Sequence, residues 1–583
     1  MRDASSLTYG ALLRTYLGPQ WRRMCIVTSL LLIILAFQLI NPYILRYFID
    51  TALSGGQQTS LLLAGFLFVG LALLNQGATI YETYVSENVA WTATNRLRAD
   101  LVAHCLRLDI AFHKSHTSGE LIERIDGDVD ALATFFSRSF VLIASNTLLI
   151  VGLIVVLFQQ HWLVGLVMGI FALIATYILL RMRSFAIRAE TLERQKDAEF
   201  YGFLGEQLAG TADMRANGAT FYVLWCFYLL LRSWYPANRR AALMRFSVFV
   251  TTIAVFGVGN AVALALGAYL WTQHQITPGM VYFIFYCTNL LNQPIDQIRR
   301  ELQNLQKAGA GIERIRSLFN IQPAITDADV PITLPDGPLA VSFQHVTFGY
   351  NADEAVLRDI SFDLAPGHVL GLLGRTGSGK TTTARLLLRL YDVQQGEIRL
   401  SGVPLRATGL TDLRHHIGMV TQDVQLFHAS VRNNLTFFNA SVPDSLILST
   451  LEDLGLGPWL RSLPAGLDTE LGSDGEGLSA GEAQLLAFTR VFLANPGLVI
   501  LDEASSRLDP ATEQLIERAI NKLLDGRSAI IIAHRLGTVQ RADEILILED
   551  GGVLEYGKRA TLASDSTSRF YTLLQTGLEE VLA

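Results

Sequence analysis

The stretch from Val369 to Thr381 reads VLGLLGRTGSGKT and decides the fold of the second half of the chain. Its first five residues form an apolar run that is typical of a buried parallel strand. The residues after them have the spacing G-x-x-x-x-G-K-[ST] of a phosphate-binding loop, and residues 382–390 have the composition of a helix. A strand, a glycine-rich loop and a helix in this order predict an α/β P-loop domain that binds a nucleoside triphosphate.

The residues of this loop are predicted to bind the triphosphate and its Mg²⁺. Glycines let backbone N–H groups turn toward the phosphates, Lys380 supplies a positive charge to the β and γ phosphates, and Thr381 supplies a hydroxyl for Mg²⁺. The predicted nucleotide-binding residues here are Gly374, Arg375, Thr376, Gly377, Ser378, Gly379, Lys380, Thr381 and Thr382. Because the motif alone is expected by chance in roughly two per cent of chains of this length, further motifs must support it.

Two later apolar strands supply the predicted metal ligand and catalytic groups. Residues 498–502 read LVILD and precede Glu503, which predicts that Asp502 reaches the Mg²⁺ shell and Glu503 an attacking water. His534 follows a similar strand, and its imidazole is predicted to hold the γ-phosphate and the water in line. Taken singly, Asp502 and Glu503 could instead be a solvated acidic pair, and His534 could be an ordinary histidine at a strand end. The four apolar residues before the two acids favour a buried strand end.

The order of these motifs resembles the nucleotide-binding domain of ATP-binding cassette (ABC) transporters. Between the P-loop and the two acids, residues 478–482 read LSAGE, which is similar to the family signature LSGGQ. The resemblance implies that Tyr350 stacks on adenine, that Gln422 touches Mg²⁺ and has a catalytic role, and that Ser479 and Gly481 face phosphate. In this family the P-loop of one copy binds ATP against the signature of another. A dimer is therefore implied.

The first half of the chain has a different composition. The whole chain is 50% hydrophobic with a mean hydropathy of +0.33, and the apolar excess lies before residue 300. Six segments approach the ~20 residues that cross a bilayer, and six in one half favour membrane spans over buried core helices. These segments are 24–45, 61–81, 139–158, 162–180, 246–271 and 276–291. The predicted fold is a membrane α-helical domain with six transmembrane helices, followed by an α/β P-loop NTPase domain of ABC type.

Charge placement predicts the topology of these spans. Lys and Arg concentrate before the first span, between the second and third, and between the fourth and fifth. The positive-inside rule then places both termini, the two long loops and the ATPase domain in the cytoplasm of a multi-pass protein of the cytoplasmic membrane. The expected domains are 1–320 with an N-terminal elbow, a linker at 321–338, and 339–583. Net charge is −7 and the basic residues lie at membrane edges, so no nucleic-acid partner is expected.

The two long loops read as continuations of the membrane helices and resemble the coupling loops of ABC exporters. In the second loop, Tyr201 and Phe203 are candidate plugs for a groove on another subunit, with packing on a helix face as the alternative. No cleavable signal peptide is expected at the start of this sequence, since its first apolar run begins only near Met24 and is long enough to span. Residues 6–17 are either an amphipathic surface helix or a solvated leader.

Several residues depart from the family pattern on the signature side. Ala480 and Glu482 replace the usual Gly and Gln, and Arg507 occupies a position of the D-loop that is usually small. A carboxylate near triphosphate oxygens weakens their contact through like-charge repulsion. The Walker side, which comprises the P-loop, Asp502, Glu503 and His534, is intact, while the signature side is altered. This division resembles one chain of the heterodimeric exporters of the family, and the resemblance implies a heterodimer with a second half-transporter. A homodimer remains the alternative, because Ser479 and Gly481 are retained.

The leading functional interpretation is ATP-driven export or flipping of an amphipathic lipid, drug or peptide. Two alternatives stay open: a membrane-bound ATPase with a sensing or regulatory role, and an importer that uses the exporter fold. Aromatic side chains in the spans are candidates for lining a substrate cavity, namely Phe256, Tyr282, Phe283 and Tyr286. The amides of the spans are either functional groups or contacts that hold helices together.

Overall fold

The computed structural model describes residues 14–351, 354–422, 424–472, 478–502, 510–533 and 539–576. The chain forms two compact units, and the first contains the described residues up to Leu106 together with Ser118–Ile321. The first unit is helical. The second unit combines the short segment Arg107–Thr117 with the chain from Gln322 onward.

Long helices make up most of the chain before residue 321. The described helices are α1 (Trp21–Leu53), α2 (Gln58–Cys105), α3 (Ile110–Ser115), α4 (Ser118–Ile122), α5 (Asp128–Thr134), α6 (Phe140–Gln160), α7 (Trp162–Ala209), α8 (Thr211–Ala216), α9 (Thr220–Thr272) and α10 (Pro278–Asn320). Two π-helical turns, Glu123–Gly127 and Phe135–Ser139, flank α5. Helices suit a membrane because all of their backbone hydrogen bonds are internal.

Five helices of the described residues are long and apolar enough to cross a membrane: α1, α2, α6, α7 and α9. The sixth predicted span, 276–291, lies in α10, whose composition is more polar because Asn289 and Asn292 precede Pro294. The predicted helical transmembrane domain is confirmed. Helices α2 and α7 continue well past their apolar segments, and α9 begins well before its own, as the sequence of the long loops predicts.

The core of the helical unit lies between α6, α7, α9 and α10. Phe256 and Phe283, interpreted from sequence as candidate cavity residues, are buried in this core and are 6% and 1% exposed. Tyr282 is 42% exposed and stacks on Tyr286 with ring centroids 6.5 Å apart. Packing therefore explains the two phenylalanines, and Tyr282 and Tyr286 remain candidates for lining a substrate cavity.

Two amides of the spans, Asn260 and Asn146, bond a side chain of a neighbouring helix. The Asn260 side chain donates to the side-chain amide oxygen of Asn289 at 3.1 Å, which joins α9 to α10. The Asn146 amide donates to Gln297 at 2.8 Å and joins α6 to α10. These contacts support a structural role, since polar side chains satisfy each other between helices in a membrane.

The second unit is built on β-sheets with flanking helices. Its described strands are β1 (Val341–Phe348), β2 (Leu357–Leu364), β3 (Val369–Gly374), β4 (Gln395–Leu400), β5 (Val403–Pro404), β6 (Ile417–Val420), β7 (Ala429–Ser430), β8 (Glu470–Leu471), β9 (Leu498–Asp502), β10 (Ser528–Ile532), β11 (Glu544–Glu549) and β12 (Gly552–Lys558). Its later helices are α11 (Lys380–Leu387), α12 (Leu410–His416), α13 (Val431–Thr436), α14 (Asp444–Asp453), α15 (Gly457–Ser462), α16 (Ala480–Ala494), α17 (Pro510–Leu524), α18 (Arg559–Ser564) and α19 (Arg569–Thr576).

The topology brings the predicted motifs to one edge of a sheet. In the described residues the larger sheet has the order β12-β11-β3-β10-β9-β6, and its central pairs are parallel. Ile532 pairs with Asp502 in register, so β9 and β10 end together. Ligands of α/β sheets bind outside the carboxyl ends of such strands. The P-loop after β3 and the acid at the end of β9 therefore share this edge.

Candidate nucleotide-binding site

The P-loop has a backbone that only glycine adopts without strain. Gly374, Gly377 and Gly379 have φ angles of 148°, 87° and 103°. A Cβ on Gly374 would lie 2.3 Å from the Leu548 carbonyl oxygen, and one on Gly379 would lie 2.4 Å from Leu357. The turn feeds directly into α11, which begins at Lys380. The start of a helix is where backbone N–H groups bind an anion.

Lys380 is held inside this loop. Its ammonium donates to the carbonyl oxygens of Gly374 at 2.6 Å and Arg375 at 3.1 Å, and the residue is only 6% exposed. A buried ammonium needs such partners, because an unpaired buried charge is costly. The loop therefore positions one positive charge where P-loop proteins bind phosphate oxygens.

The two predicted metal ligands come together at the sheet edge. The Thr381 hydroxyl lies 3.4 Å from a carboxylate oxygen of Asp502, which is 8% exposed at the end of β9. Hard oxygen ligands of this kind suit Mg²⁺ when it is bound together with a nucleotide. Gln422 follows β6, whose Val420 pairs with Leu501 of β9, so it lies beyond the same edge. The residues present therefore fit a Mg²⁺ site.

Glu503, His534 and Arg507 lie outside the described residues, and their predicted roles remain predictions. The strands that precede Glu503 and His534 are described. Because β9 and β10 are adjacent, parallel and in register, the chain leaves both strands at the same edge.

Tyr350 follows β1 and faces the start of α11. Its hydroxyl lies 3.0 Å from the Thr382 hydroxyl and accepts a hydrogen bond of 3.0 Å from Arg385. The Tyr350 ring meets Phe348 and Tyr391 edge to face, with centroids 5.2 and 5.1 Å away. Burial raises the pKa of the Tyr391 hydroxyl. Tyr350 itself is 39% exposed, so part of its side chain is open to solvent beside the P-loop helix.

Lys114 of α3 is a residue near this ring that sequence reasoning missed. Its ammonium lies 4.7 Å from the centroid of Tyr350 and 5.7 Å from that of Tyr391. The segment is fixed by Asp109, whose carboxylate accepts the backbone N–H of Ala324 at 2.6 Å. Because Lys114 and Tyr350 lie far apart in sequence, no local pattern predicts this cation–π contact.

The signature segment forms a helix cap. Ser479 is the N-cap of α16, and its hydroxyl accepts the backbone N–H of Glu482 at 3.2 Å. The Glu482 carboxylate accepts the backbone N–H and the hydroxyl of Ser479, both at 2.8 Å. This capping box has the sequence pattern S-x-x-E, so the sequence carried its signal. The Ser479 donors that the family resemblance directs at phosphate are engaged by a carboxylate of the same chain.

Gly481 has a packing reason to be glycine. A Cβ at this position would lie 2.0 Å from the methyl carbon of Thr512 in α17. Close approach of α16 to α17 therefore requires Gly481, independently of any role toward phosphate. The retained glycine thus does not by itself show that the signature binds a nucleotide.

Arg490 links the signature helix to the chain that follows Gln422, and sequence reasoning missed it. Its guanidinium donates to the backbone carbonyls of Asn434 at 2.7 Å and Gln425 at 2.8 Å, and lies over the Phe437 ring. Burial lowers the pKa of Arg490 to about 10. Because Arg490 lies in the middle of α16 and its backbone acceptors lie more than 50 residues earlier in the chain, no local sequence pattern predicts these bonds.

In the second coupling loop the structure separates the two candidate plugs. Phe203 stacks on Phe227 of α9 with centroids 6.3 Å apart, which supports the packing alternative for this residue. Its neighbour Phe200 stacks on Trp234 of the same helix at 5.4 Å. Tyr201 is 69% exposed and remains the candidate plug.

Comparison with known proteins matches both halves of the chain to one family. The family model for the ABC transporter ATPase matches residues 357–506, and the model for the ABC transporter transmembrane region matches residues 24–295. An uncharacterized ABC transporter ATP-binding protein of Bacillus subtilis, YknV, is 30% identical over 94% of this chain and 91% of its own length. A protein of Pseudomonas fluorescens named ATP-dependent lipid A-core flippase is 31% identical over 92% of this chain and 91% of its own length.

A solved structure of a bacterial Atm1-family ABC exporter with ATP bound has the same fold. It aligns with a TM-score of 0.79 and 24% identity, and the alignment covers 97% of this chain and 98% of that chain. The P-loop edge, the fused helical unit and these similarities together define the class: the chain belongs to the ABC transporter family. It is an ATP-binding, ATP-hydrolysing, multi-pass membrane protein with the fold of an ABC exporter half-transporter.

Proposed function

We propose that this chain is one half of a dimeric pump that uses ATP to export or flip an amphipathic substrate. The observation that carries the proposal is the fusion, in one chain, of a transmembrane domain with a P-loop edge where Lys380, Thr381 and Asp502 converge. Relatives that are named lipid A-core flippases support an amphipathic substrate. The predicted topology puts the ATPase domain in the cytoplasm and the spans in the cytoplasmic membrane.

The residues at the sheet edge have different roles in binding and hydrolysing ATP. The P-loop N–H groups and Lys380 bind the phosphates, while Tyr350 takes the adenine. Thr381, Asp502 and Gln422 would hold Mg²⁺, which neutralises charge on the phosphate oxygens when bound. Glu503 accepts a proton from the attacking water, and His534 orients the water and the γ-phosphate. Positioning and charge stabilisation supply most of the rate in phosphoryl transfer.

A second chain completes each nucleotide site in this proposal. The Walker side of this chain pairs with the signature of its partner, and its own signature covers the nucleotide of the partner. Because Glu482 engages Ser479, the second of these sites is the slower one. We propose a heterodimer whose partner carries an unaltered signature. A homodimer is the competing arrangement, since Ser479 and Gly481 are retained.

Transport into inverted membrane vesicles tests this function directly. Vesicles that contain the assembled transporter are expected to accumulate a labelled amphiphile when ATP is added, and vesicles with Glu503→Gln are not. Hydrolysis without flux for a panel of amphiphiles would favour the sensing ATPase. ATP-driven flux in the opposite direction would identify an importer.

The proposed orientation has its own test. Cysteines introduced at Gln159–His161 are expected to react with an impermeant maleimide on intact cells, because this loop lacks Lys and Arg. Cysteines introduced near Gly202 are expected to react only after the cells are opened. The reverse pattern would contradict the topology and, with it, the direction of transport.

A further inference from the structure

A cavity of about 790 Å³ lies within the helical unit, between α7, α9 and α10. It is lined by Ala186, Glu190, Glu193, Arg194, Asp197, Arg245, Val248, Phe249, Thr252, Ile253, Asp296, Arg299 and Arg300. Its α7 residues come after the apolar segment 162–180, so the charged wall lies on the helix extension beyond the predicted span. The volume is in the range of ligand sites, which run from about 300 to 1,000 Å³.

The charges of this cavity are balanced. Among its lining residues in the described part of the chain, four carboxylates face four guanidinium groups. Most are already engaged: Arg245 bonds Glu193 through both of its terminal nitrogens, and Arg299 and Arg300 bond Asp296 at 2.7 and 2.9 Å. Asp197 accepts the indole N–H of Trp234 at 2.7 Å. These contacts fix the wall and cancel most of its charge.

Glu190 and Arg194 differ from the other charged lining residues. They lie one turn apart on α7, where i and i+4 side chains share a face. Within the described residues, neither forms an ion pair with the other or with any further side chain. The Glu190 carboxylate lies close enough to Arg245 to stabilise its charge, although Glu193 is the carboxylate that Arg245 bonds. Glu190 and Arg194 therefore stand side by side in the cavity without a direct bond to a charged side chain of the described residues.

The wall formed by α9 is apolar. Phe249 and Ile253 are each 58% exposed and lie one turn apart, with Val248 beside them. A smaller cavity of about 110 Å³ shares Arg299 with the large one and is lined mainly by aliphatic side chains of α6, α7 and α10. One ligand can thus have its polar end on α7 and its apolar end against α9.

We propose that this cavity binds an amphiphile with a zwitterionic head, which holds its anionic group on Arg194 and its cationic group on Glu190. The apolar part of the ligand lies on Phe249 and Ile253. A head with several negative charges is disfavoured, because Arg245, Arg299 and Arg300 are already paired with carboxylates and Arg194 alone is left for an anionic group. This inference rests on the proposed function and names the substrate class of the same transporter.

Binding of three amphiphiles with one tail and different heads tests the proposal. The probes carry a fluorophore on the tail and a phosphocholine, a phosphoglycerol or a trimethylammonium head. Fluorescence anisotropy measures their dissociation constants for the assembled transporter in lipid nanodiscs. Wild-type protein is expected to bind the zwitterionic probe at least tenfold more tightly than either singly charged probe.

Charge variants sharpen the test. Glu190→Gln is expected to move the preference toward the anionic probe, and Arg194→Gln toward the cationic probe, each by about tenfold. Arg194→Lys keeps the charge and is expected to keep most of the zwitterion preference. Glu87→Gln on α2 is the matched control, since it removes one exposed carboxylate outside the cavity. It is expected to leave all three constants unchanged.

Three results would overturn the inference: equal binding of the three heads, tightest binding of the anionic head to wild type, or equal shifts for Glu190→Gln and Glu87→Gln. Flux measurements separate this failure from failure of the proposed function. ATP-driven flux of the anionic amphiphile with no zwitterion preference would leave the exporter intact and remove the head-group assignment. Zwitterion-selective binding with no ATP-driven flux of any probe would keep the head-group preference of the cavity and contradict the proposed export.

Discussion

The P-loop and the signature segment both present the start of a helix, and they use it differently. At the start of α11 the backbone turns through glycines, and the ammonium of Lys380 lies inside the loop. At the start of α16 the carboxylate of Glu482 binds the N–H and hydroxyl of Ser479. The start of α11 therefore presents a positive charge to a bound anion, whereas the start of α16 is already occupied by the Glu482 carboxylate.

The difference shows that a retained motif can change its chemistry through one residue. A capping residue typically stabilises a helix start by ~1 kcal/mol. A phosphate that approaches Ser479 must displace the Glu482 carboxylate and also meets its charge. The Walker side of this chain thus favours nucleotide binding, while its signature side opposes it. Substitutions on the two sides are expected to act in opposite directions.

The largest effect is expected from Glu503→Gln on the Walker side. The amide keeps the size of the side chain but cannot accept a proton from water, so hydrolysis at this site is expected to fall at least about 100-fold. ATP binding is expected to remain. Single-turnover release of phosphate and equilibrium nucleotide binding measure the two. Glu549→Gln, at the exposed end of β11, is the control, and fast turnover in Glu503→Gln would contradict the assignment.

Lys380→Ala is expected to weaken ATP binding by at least about tenfold. The substitution removes the ammonium and leaves the Gly374 and Arg375 carbonyls without its hydrogen bonds. A tenfold change corresponds to about 1.4 kcal/mol of binding free energy. A nucleotide titration of the purified transporter measures the affinity. Lys522→Ala, which removes a surface ion pair with Asp453, is the control, and equal affinities would exclude a phosphate contact for Lys380.

Tyr350→Ala is expected to weaken ATP binding about fivefold, because the base loses a stacking surface worth ~1 kcal/mol or more. Tyr350→Phe keeps the ring and loses only the contacts of the hydroxyl with Thr382 and Arg385. We therefore expect it to bind ATP nearly as well as wild type. The same titration compares both variants. If Tyr350→Phe lost as much affinity as Tyr350→Ala, the hydroxyl rather than the ring would be the contact.

The smallest effect is expected from Glu482→Gln on the signature side, and its sign is opposite. The amide removes the negative charge beside Ser479, so ATP turnover of the assembled transporter is expected to rise two- to fourfold. Steady-state release of phosphate measures the change, and a melting curve checks that α16 keeps its cap. Glu482→Asp retains the charge and is expected to behave as wild type. A fall in turnover for Glu482→Gln would show that the carboxylate assists the site.

Local sequence was sufficient for the features that are local in structure. The P-loop, the strand before Asp502 and the apolar helices all follow from short runs whose composition dictates their conformation. Residues 479–482 also contain the S-x-x-E spacing of a capping box. Sequence reasoning considered Glu482 only as a charge that faces a nucleotide, and thus missed its bond to Ser479.

Tertiary contacts between distant residues were beyond the reach of sequence. Lys114 meets Tyr350, and Arg490 reaches Gln425, because the fold brings together segments that no periodicity connects. The charged cavity is a similar case, since its lining residues fall in three segments, 186–197, 245–253 and 296–300, that lie far apart in sequence. The aromatic residues of the spans predicted cavity lining less well, because Phe283 is buried in the helical core.

The most direct test is to express this chain alone, purify it in a membrane mimetic, and measure its native mass together with its ATP turnover. If the altered signature limits the site that it covers, the chain alone is expected to be monomeric or to hydrolyse ATP slowly. A sister chain with an unaltered signature is expected to restore turnover by at least about tenfold. A stable homodimer with fast, substrate-stimulated hydrolysis and transport would contradict the division into an active Walker side and a weakened signature side.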